Sequence, residues 1–373
     1  MRSVFLLVCV LIAYGSLYPF DFRNMAAGDW ELLLNSWHGR TIRSDVLSNI
    51  VLFLPFGYFG VLAWGRRLWL AGLALLLGTG LQLLQLYLPS RDANLLDVAW
   101  NLAGAGLGAV LAALPLRQIP FLARHYRRSQ GFVLMLLGAW LCYRLLPFVP
   151  SLDWQEIKDS LKPLLLHPRL SGTDLLRNTI SWAVVAALWT ALWYGRHTLR
   201  WLLAVAGGLF LLEVIIVDNN VSLANVLGAV LGLWTWHLLR RLPAASGVLA
   251  LLLLVSLLVA GLAPFELRTT PAAFHWQPFY GFLGGAMLFN IIALFEKIFL
   301  YGSLLWLARR QGVRTVIAIA LALAVTAFIE VAQVYVAGHT PEITDPLLVL
   351  CLALALEQME AGEKSTNTSP ARG

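Results

Sequence analysis

The stretch Gln82-Leu-Leu-Gln85-Leu-Tyr87-Leu-Pro-Ser-Arg91-Asp-Ala-Asn-Leu-Leu-Asp97-Val-Ala-Trp-Asn101-Leu-Ala-Gly104-Ala-Gly-Leu-Gly108 sets amides, an arginine and a carboxylate into a chain that is otherwise apolar. Crossing a bilayer requires none of them. A charged side chain at the centre of a span costs roughly 2.5–3.5 kcal/mol, so polar groups kept at the end of one span and the start of the next mark a task. Helical spacing decides which can meet. Gln82 and Gln85 lie three apart on one helix; Asp97, Asn101, Gly104 and Gly108 follow at steps of four and three on the next, with Arg91 on the connection. The glycines clear one stripe and let a neighbouring helix approach, as small residues do in membranes. Two readings stand. These residues form one side of a binding site, or Asn101 and the glycines are packing glue while Arg91 and Asp97 form a simple salt bridge.

The whole chain agrees with a bilayer setting. Of 373 residues, 59% are hydrophobic and 13% charged, with a mean hydropathy of +0.74; a soluble domain carries about 25% charged residues. The fold class expected is an all-α polytopic membrane protein. Many of the 15 tryptophans stand at the ends of apolar runs, where an interfacial belt puts them. Cys9, Cys142 and Cys351 lie far apart inside apolar runs, so neither a disulfide framework nor a metal site is indicated, and no cofactor is expected. The net charge of +7 comes from basic residues scattered in short connections, which is a topology signal and not a nucleic-acid surface.

Apolar spans are expected near 3–19, 44–64, 68–88, 95–114, 131–149, 175–194, 199–217, 220–240, 246–263, 288–308, 313–337 and 343–358. They group into three parallel four-helix repeats, with units at 1–116, 131–241 and 246–358 and a disordered cytoplasmic tail at 359–373. The first helix of each set ends in Pro19-Phe20, Pro147-Phe148 or Pro264-Phe265, so the N-terminal run reads as a retained helix and not a cleaved signal. Asp45-x-x-x-Asn49 recurs as Asp174-x-x-x-Asn178, with Asn290 near that place in the third set. Gln85 and Asp97 recur as Gln333 and Asp345, while Gln82 becomes Glu330 and Arg91 becomes His339. The middle set keeps Asn225, Gly228 and Gly232 at the spacing of Asn101, Gly104 and Gly108, and Glu213 stands where Gln82 would.

Charge fixes the expected orientation. Arg2, Arg66, Arg67, the basic run from Arg117 to Arg128, Arg196, Arg200, Arg240, Arg241, Arg309, Arg310, Arg314, Lys364 and Arg372 fall on one side, whose internal connections hold no acid. Asp21, Asp29, Glu31, Asp92, Asp153, Glu156, Asp159, Glu266 and Glu342 fall on the other. The positive-inside rule then puts both termini in the cytoplasm, and the Pro-Phe ends and the turns at Arg91 and His339 on the outer side. The outer segments at 20–43, 150–173 and 266–287, which carry Trp30, Trp37, Trp154 and Trp276, read either as amphipathic pieces on the outer leaflet or as solvated loops.

Asp45-x-x-x-Asn49 followed by Phe53-x-Pro55-x-Gly57, then a helix ending in Gln, an arginine turn and Asp97-x-x-x-Asn101-x-x-Gly104-x-x-x-Gly108, resembles the VanZ-like family of bacterial membrane proteins. The resemblance is clearest over residues 16–114, and the second and third units look like degenerate copies. It implies a multi-pass protein of the bacterial inner membrane, a role in the cell envelope, and an association with teicoplanin-type glycopeptide resistance. It lends no catalytic residues. The acid of the family's third helix is Gln82 in the first unit and remains acidic only as Glu213 and Glu330.

Three functions are compatible with these residues. The first is a binding protein for membrane lipids or a lipid-linked cell-wall or polysaccharide precursor, built from Asp45, Asn49, Gln82, Gln85, Arg91, Asp97, Asn101, Glu330, Gln333, His339 and Asp345, with the arginine forked onto a phosphate. The second is an enzyme acting on polyprenyl-phosphate-linked glycans, with Asp97, Glu330 or Asp345 as general base. The third is a proton- or ion-coupled transporter using Glu213, Glu296, Lys297 and Glu330; against it stands the reading of Lys297 and Glu330 as a merely structural interhelical pair.

Overall fold

A computed structural model describes residues 1–24, 29–36, 43–65, 68–114, 131–166, 168–193, 198–217, 219–283 and 287–367. Trp37, Arg66, Arg67, the run from Arg117 to Arg128, Arg196 and Arg372 lie outside the described residues. Twelve long helices carry the chain: α1 Arg2–Leu17, α2 Arg43–Trp64, α3 Trp69–Gln85, α4 Leu95–Ala113, α5 Gly131–Leu145, α6 Gly172–Leu192, α7 Thr198–Ile215, α8 Leu223–Leu239, α9 Ala245–Leu262, α10 Met287–Arg310, α11 Thr315–Gln333 and α12 Thr344–Asn367. Short helices lie at Asp29–Asn35, Trp154–Leu165 and Tyr280–Leu283. The named elements among the described residues are all helices. The last one continues to Asn367, beyond the boundary near 358 that hydropathy marks.

Among the described residues, six helices are long and apolar enough to cross a membrane: α4, α6, α9, α11, and α2 and α10 over Asp45–Trp64 and Phe289–Arg310. Among the shorter apolar helices are α1, α3, α5 and α8. Local chemistry sets their ends. Asn94 caps α4 by accepting the Leu96 N–H at 2.9 Å, and Ser222 caps α8 by accepting the Asn225 N–H at 3.2 Å. Proline stops α1, α5 and α9, because a ring without an N–H cannot continue the ladder.

Two compact units emerge, one from Met1–Gln118 with Phe282–Ile291 and one from Ile119–Gly281 with Ile292–Gly373. In the first unit the tightest packing is α2 against α4, and glycine permits it. A Cβ built on Gly104 would overlap the Ile50 carbonyl oxygen, and one on Gly108 would overlap that of Leu54 and stand 2.8 Å from the Tyr58 nitrogen. In the second unit α8 lies equally close to α6, with Gly228 over Asn178 and Thr179 and Gly232 over Thr179 and Trp182. The Trp182 ring meets Trp140 edge-on at 4.9 Å between centroids, and Phe299 is fully buried in the same core. In α12 the positions matching Asn101, Gly104 and Gly108 are Val349, Leu352 and Leu356, all buried.

The same corner forms at three places. At Phe20, Phe148 and Phe265 the backbone turns to φ 67, 58 and 65 after a cis proline, and each N–H donates to the carbonyl three residues earlier. The chain then runs extended beside the turn that follows α3, α7 or α11. Arg23 N–H donates to Tyr87 O at 2.7 Å, Ser151 N–H to Ile215 O at 2.8 Å, and Arg268 N–H to Tyr335 O at 2.8 Å.

Candidate functional site

The ends of α3 and α11 and the turn after α7 are pinned to the carboxyl ends of α1, α9 and α5 respectively. Gln85 Nε2 donates to the Ser16 carbonyl at 2.8 Å, Asn219 Nδ2 to that of Arg144 at 3.0 Å, and Gln333 Nε2 to that of Gly261 at 2.8 Å. Ser16, Arg144 and Gly261 each stand three residues before the corner proline. These carbonyls have no intrahelical partner of their own, so the side-chain amides cap them. Arg91 belongs to the same device. Its Nε donates to Tyr18 O at 3.0 Å and its Nη2 to Gly15 O at 3.3 Å. Burial pulls the Arg91 guanidinium below its ordinary range, against the pull of Asp21 upward. His339 Nε2 stands 2.5 Å from Ala263 O, and Arg268 donates to Val336 O at 2.8 Å and to His339 O.

Four of the residues expected to bind a ligand, Gln85, Arg91, Gln333 and His339, thus hold the backbone. Among the described residues the Arg91 side chain makes these two bonds, and neither uses Nη1. Replacing Gln333 with alanine should lower stability by about 0.5–1.5 kcal/mol, read as a shift in the unfolding midpoint in detergent, with an equal loss for Gln85→Ala.

The other expected residues converge below these caps. In the first unit Asp97 has Asn49 and Gln82 beside its carboxylate and Asp45 nearby. Gln82, 3% exposed, accepts the Asn94 N–H at 2.8 Å through Oε1. Asn49 donates to the Asp45 carbonyl at 3.0 Å. Asn101, also 3% exposed, lies one turn below Asp97 against Gly78. Among the described residues, two acceptors in this group are buried without a hydrogen-bond partner: Asp97 Oδ1 and Asn101 Oδ1. From Leu102 to Leu114 the same helix lines an open apolar crevice of about 600 Å³, whose other walls are Phe56, Gly57 and Val61 of α2 and Leu70 and Ala71 of α3.

In the second unit the corresponding places fill themselves. Arg144 of α5 sets Nε 2.6 Å from Glu213 Oε1 and Nη1 3.4 Å from Asn178 Oδ1. Glu213 Oε2 accepts from Asn225 Nδ2 at 3.4 Å, and the guanidinium lies against the rings of Trp140 and Trp182. Asp345 of α12 is held by Lys297 Nζ at 2.5 Å and by the Tyr301 hydroxyl. Glu330 accepts the Glu342 N–H at 2.8 Å and is close enough to feel the Lys297 charge. The ion pair of Lys297 is therefore made with Asp345, whereas spacing pointed to Glu330. Glu296 faces Arg177, at 3.6 Å.

Arg144, Tyr301 and Arg268 were not singled out by sequence reasoning. For Arg144 the signal was present, since an arginine inside an apolar run demands a partner. Tyr301 and Arg268 carried none.

Apolar helices of spanning length, polar groups gathered at their ends and glycine-tight packing define a multi-pass membrane protein. Residues 5–116 of the chain match the VanZ/LLP1 family model, which makes the first four helices a VanZ-like domain. No curated protein and no solved structure is similar enough to the chain to count as a match.

Proposed function

We propose that this chain is an envelope protein of the bacterial inner membrane that holds one lipid by its head group in the first unit. The carrying observation is the pair of buried, unpartnered acceptors, Asp97 Oδ1 and Asn101 Oδ1, on the helix whose following turns line an apolar crevice. A buried polar atom without a partner costs about 1–3 kcal/mol, and a bound molecule that donates to it recovers that cost. The crevice runs from Leu102 to Leu114, roughly 18 Å at 1.5 Å per residue, long enough for much of an acyl chain. Polar end and apolar continuation together have the shape of a lipid. The unused Nη1 edge of Arg91 faces the phosphate in this reading, and the head group lies at the outer face, with both termini cytoplasmic by the distribution of arginine.

The three corners, the three carbonyl caps and the matching polar positions support a chain built as three tandem four-helix units of twelve membrane helices. The first then keeps the binding site and the other two have closed theirs with internal cations. Handling of a lipid or lipid-linked precursor is the activity through which such a protein would act in glycopeptide resistance or in envelope or exopolysaccharide biogenesis.

Purified protein titrated with a phospholipid in detergent and weighed intact tests this. Wild type should retain one lipid. Asn101→Leu combined with Asp97→Asn should weaken retention at least tenfold while leaving the unfolding midpoint within a few degrees. Equal retention by the variant would remove the proposal.

A further inference from the structure

We infer that the group received by Asp97 and Asn101 is an amine, so that the first unit selects lipids with a cationic ammonium in the head group; this rests on the head-group reading above. The chain contains its own comparators. Two carboxylates held at this level in the second unit are each met by a cation from the chain: Glu213 by Arg144 and Asp345 by Lys297. In the first unit the residue aligned with Arg144 is Ser16, which shares its place three before the proline and its capped carbonyl but carries no charge. The neighbours of Asp97 are Asn49 and Gln82, both neutral amides, and Asp45, an acid. Arg91 is committed to the Tyr18 and Gly15 carbonyls through two of its nitrogens.

The first unit therefore presents a carboxylate, Asp97, where its counterpart Asp345 is met by Lys297. Asn101, 3% exposed, points the same way, because its unpartnered atom is the carbonyl oxygen and that atom only accepts. An ammonium offers three donors and a positive charge, enough for both Oδ1 atoms at once. A phosphate offers acceptors and negative charge, which this pair repels. The chemistry thus separates the two ends of a zwitterionic head group, with its amine on Asp97 and Asn101.

Two lipids of equal chain length decide the matter, phosphatidylethanolamine with an amine and phosphatidylglycerol with hydroxyls, each titrated into detergent-solubilised protein and weighed intact. Wild type should prefer phosphatidylethanolamine at least tenfold. Asp97→Asn should erase the preference while leaving some retention of both. Asn49→Lys rebuilds the Lys297–Asp345 arrangement within the first unit, supplying Asp97 with a counter-ion, and should abolish the preference in a folded protein. If that variant does not fold, Asp97→Asn alone decides. Equal retention of the two lipids by wild type, lost from both when Asp97 and Asn101 are replaced, would overturn the amine assignment and keep the head-group site. Retention of neither would overturn both.

Discussion

Arg144→Ala is expected to lower the stability of the second unit by about 3–5 kcal/mol, because it strands Glu213, itself 3% exposed, without its counter-charge. The substitution also leaves Asn178 Oδ1 without its guanidinium donor and removes a cation from beside two indole rings. Burying a charge alone is far worse than burying neither, so the double variant Arg144→Leu, Glu213→Leu should recover most of the loss. Unfolding followed by tryptophan fluorescence in detergent reads both. An Arg144→Ala protein within about 1 kcal/mol of wild type would mean that the pair is dispensable.

Leucine at Gly104 or Gly108 should be at least as damaging to the first unit. No rotamer avoids the clash, since the overlap begins at Cβ and the atoms it meets are the carbonyls of Ile50 and Leu54. α2 and α4 must separate, and the loss should exceed about 3 kcal/mol, the upper end of ordinary overpacking. Gly106 is the internal control. It lies on the same helix with nothing within 4 Å of an added Cβ, so Gly106→Ala should be neutral. If Gly104→Leu were as harmless as Gly106→Ala, α2 and α4 would not be in contact.

Much of this was legible in the order of residues. Hydropathy marked spans at 3–19 and 246–263, and the helices run Arg2–Leu17 and Ala245–Leu262, because a proline or a capping residue ends each run within a few positions. Steps of three and four put Asp97, Asn101, Gly104 and Gly108 on one face, and that stripe faces α2 and α3. Spacing along one helix said nothing of how a neighbouring helix is rotated. That is why Lys297 was paired with Glu330 when Asp345 was the nearer acid. Nor could it show that Arg91 and His339 serve main-chain carbonyls. That depends on where the ends of α1 and α9 arrive in space, and a polar side chain in a turn reads the same whether it awaits a ligand or caps a helix.

The lipid reading has a direct test in a density map of the protein purified from its native membrane in mild detergent. A head group against Asp97 and Asn101, with a tail descending beside Leu102, Ala105 and Ala109, is the expected image. A crevice filled only by detergent tails, with the polar pair bridged by water after added phospholipid, would contradict it.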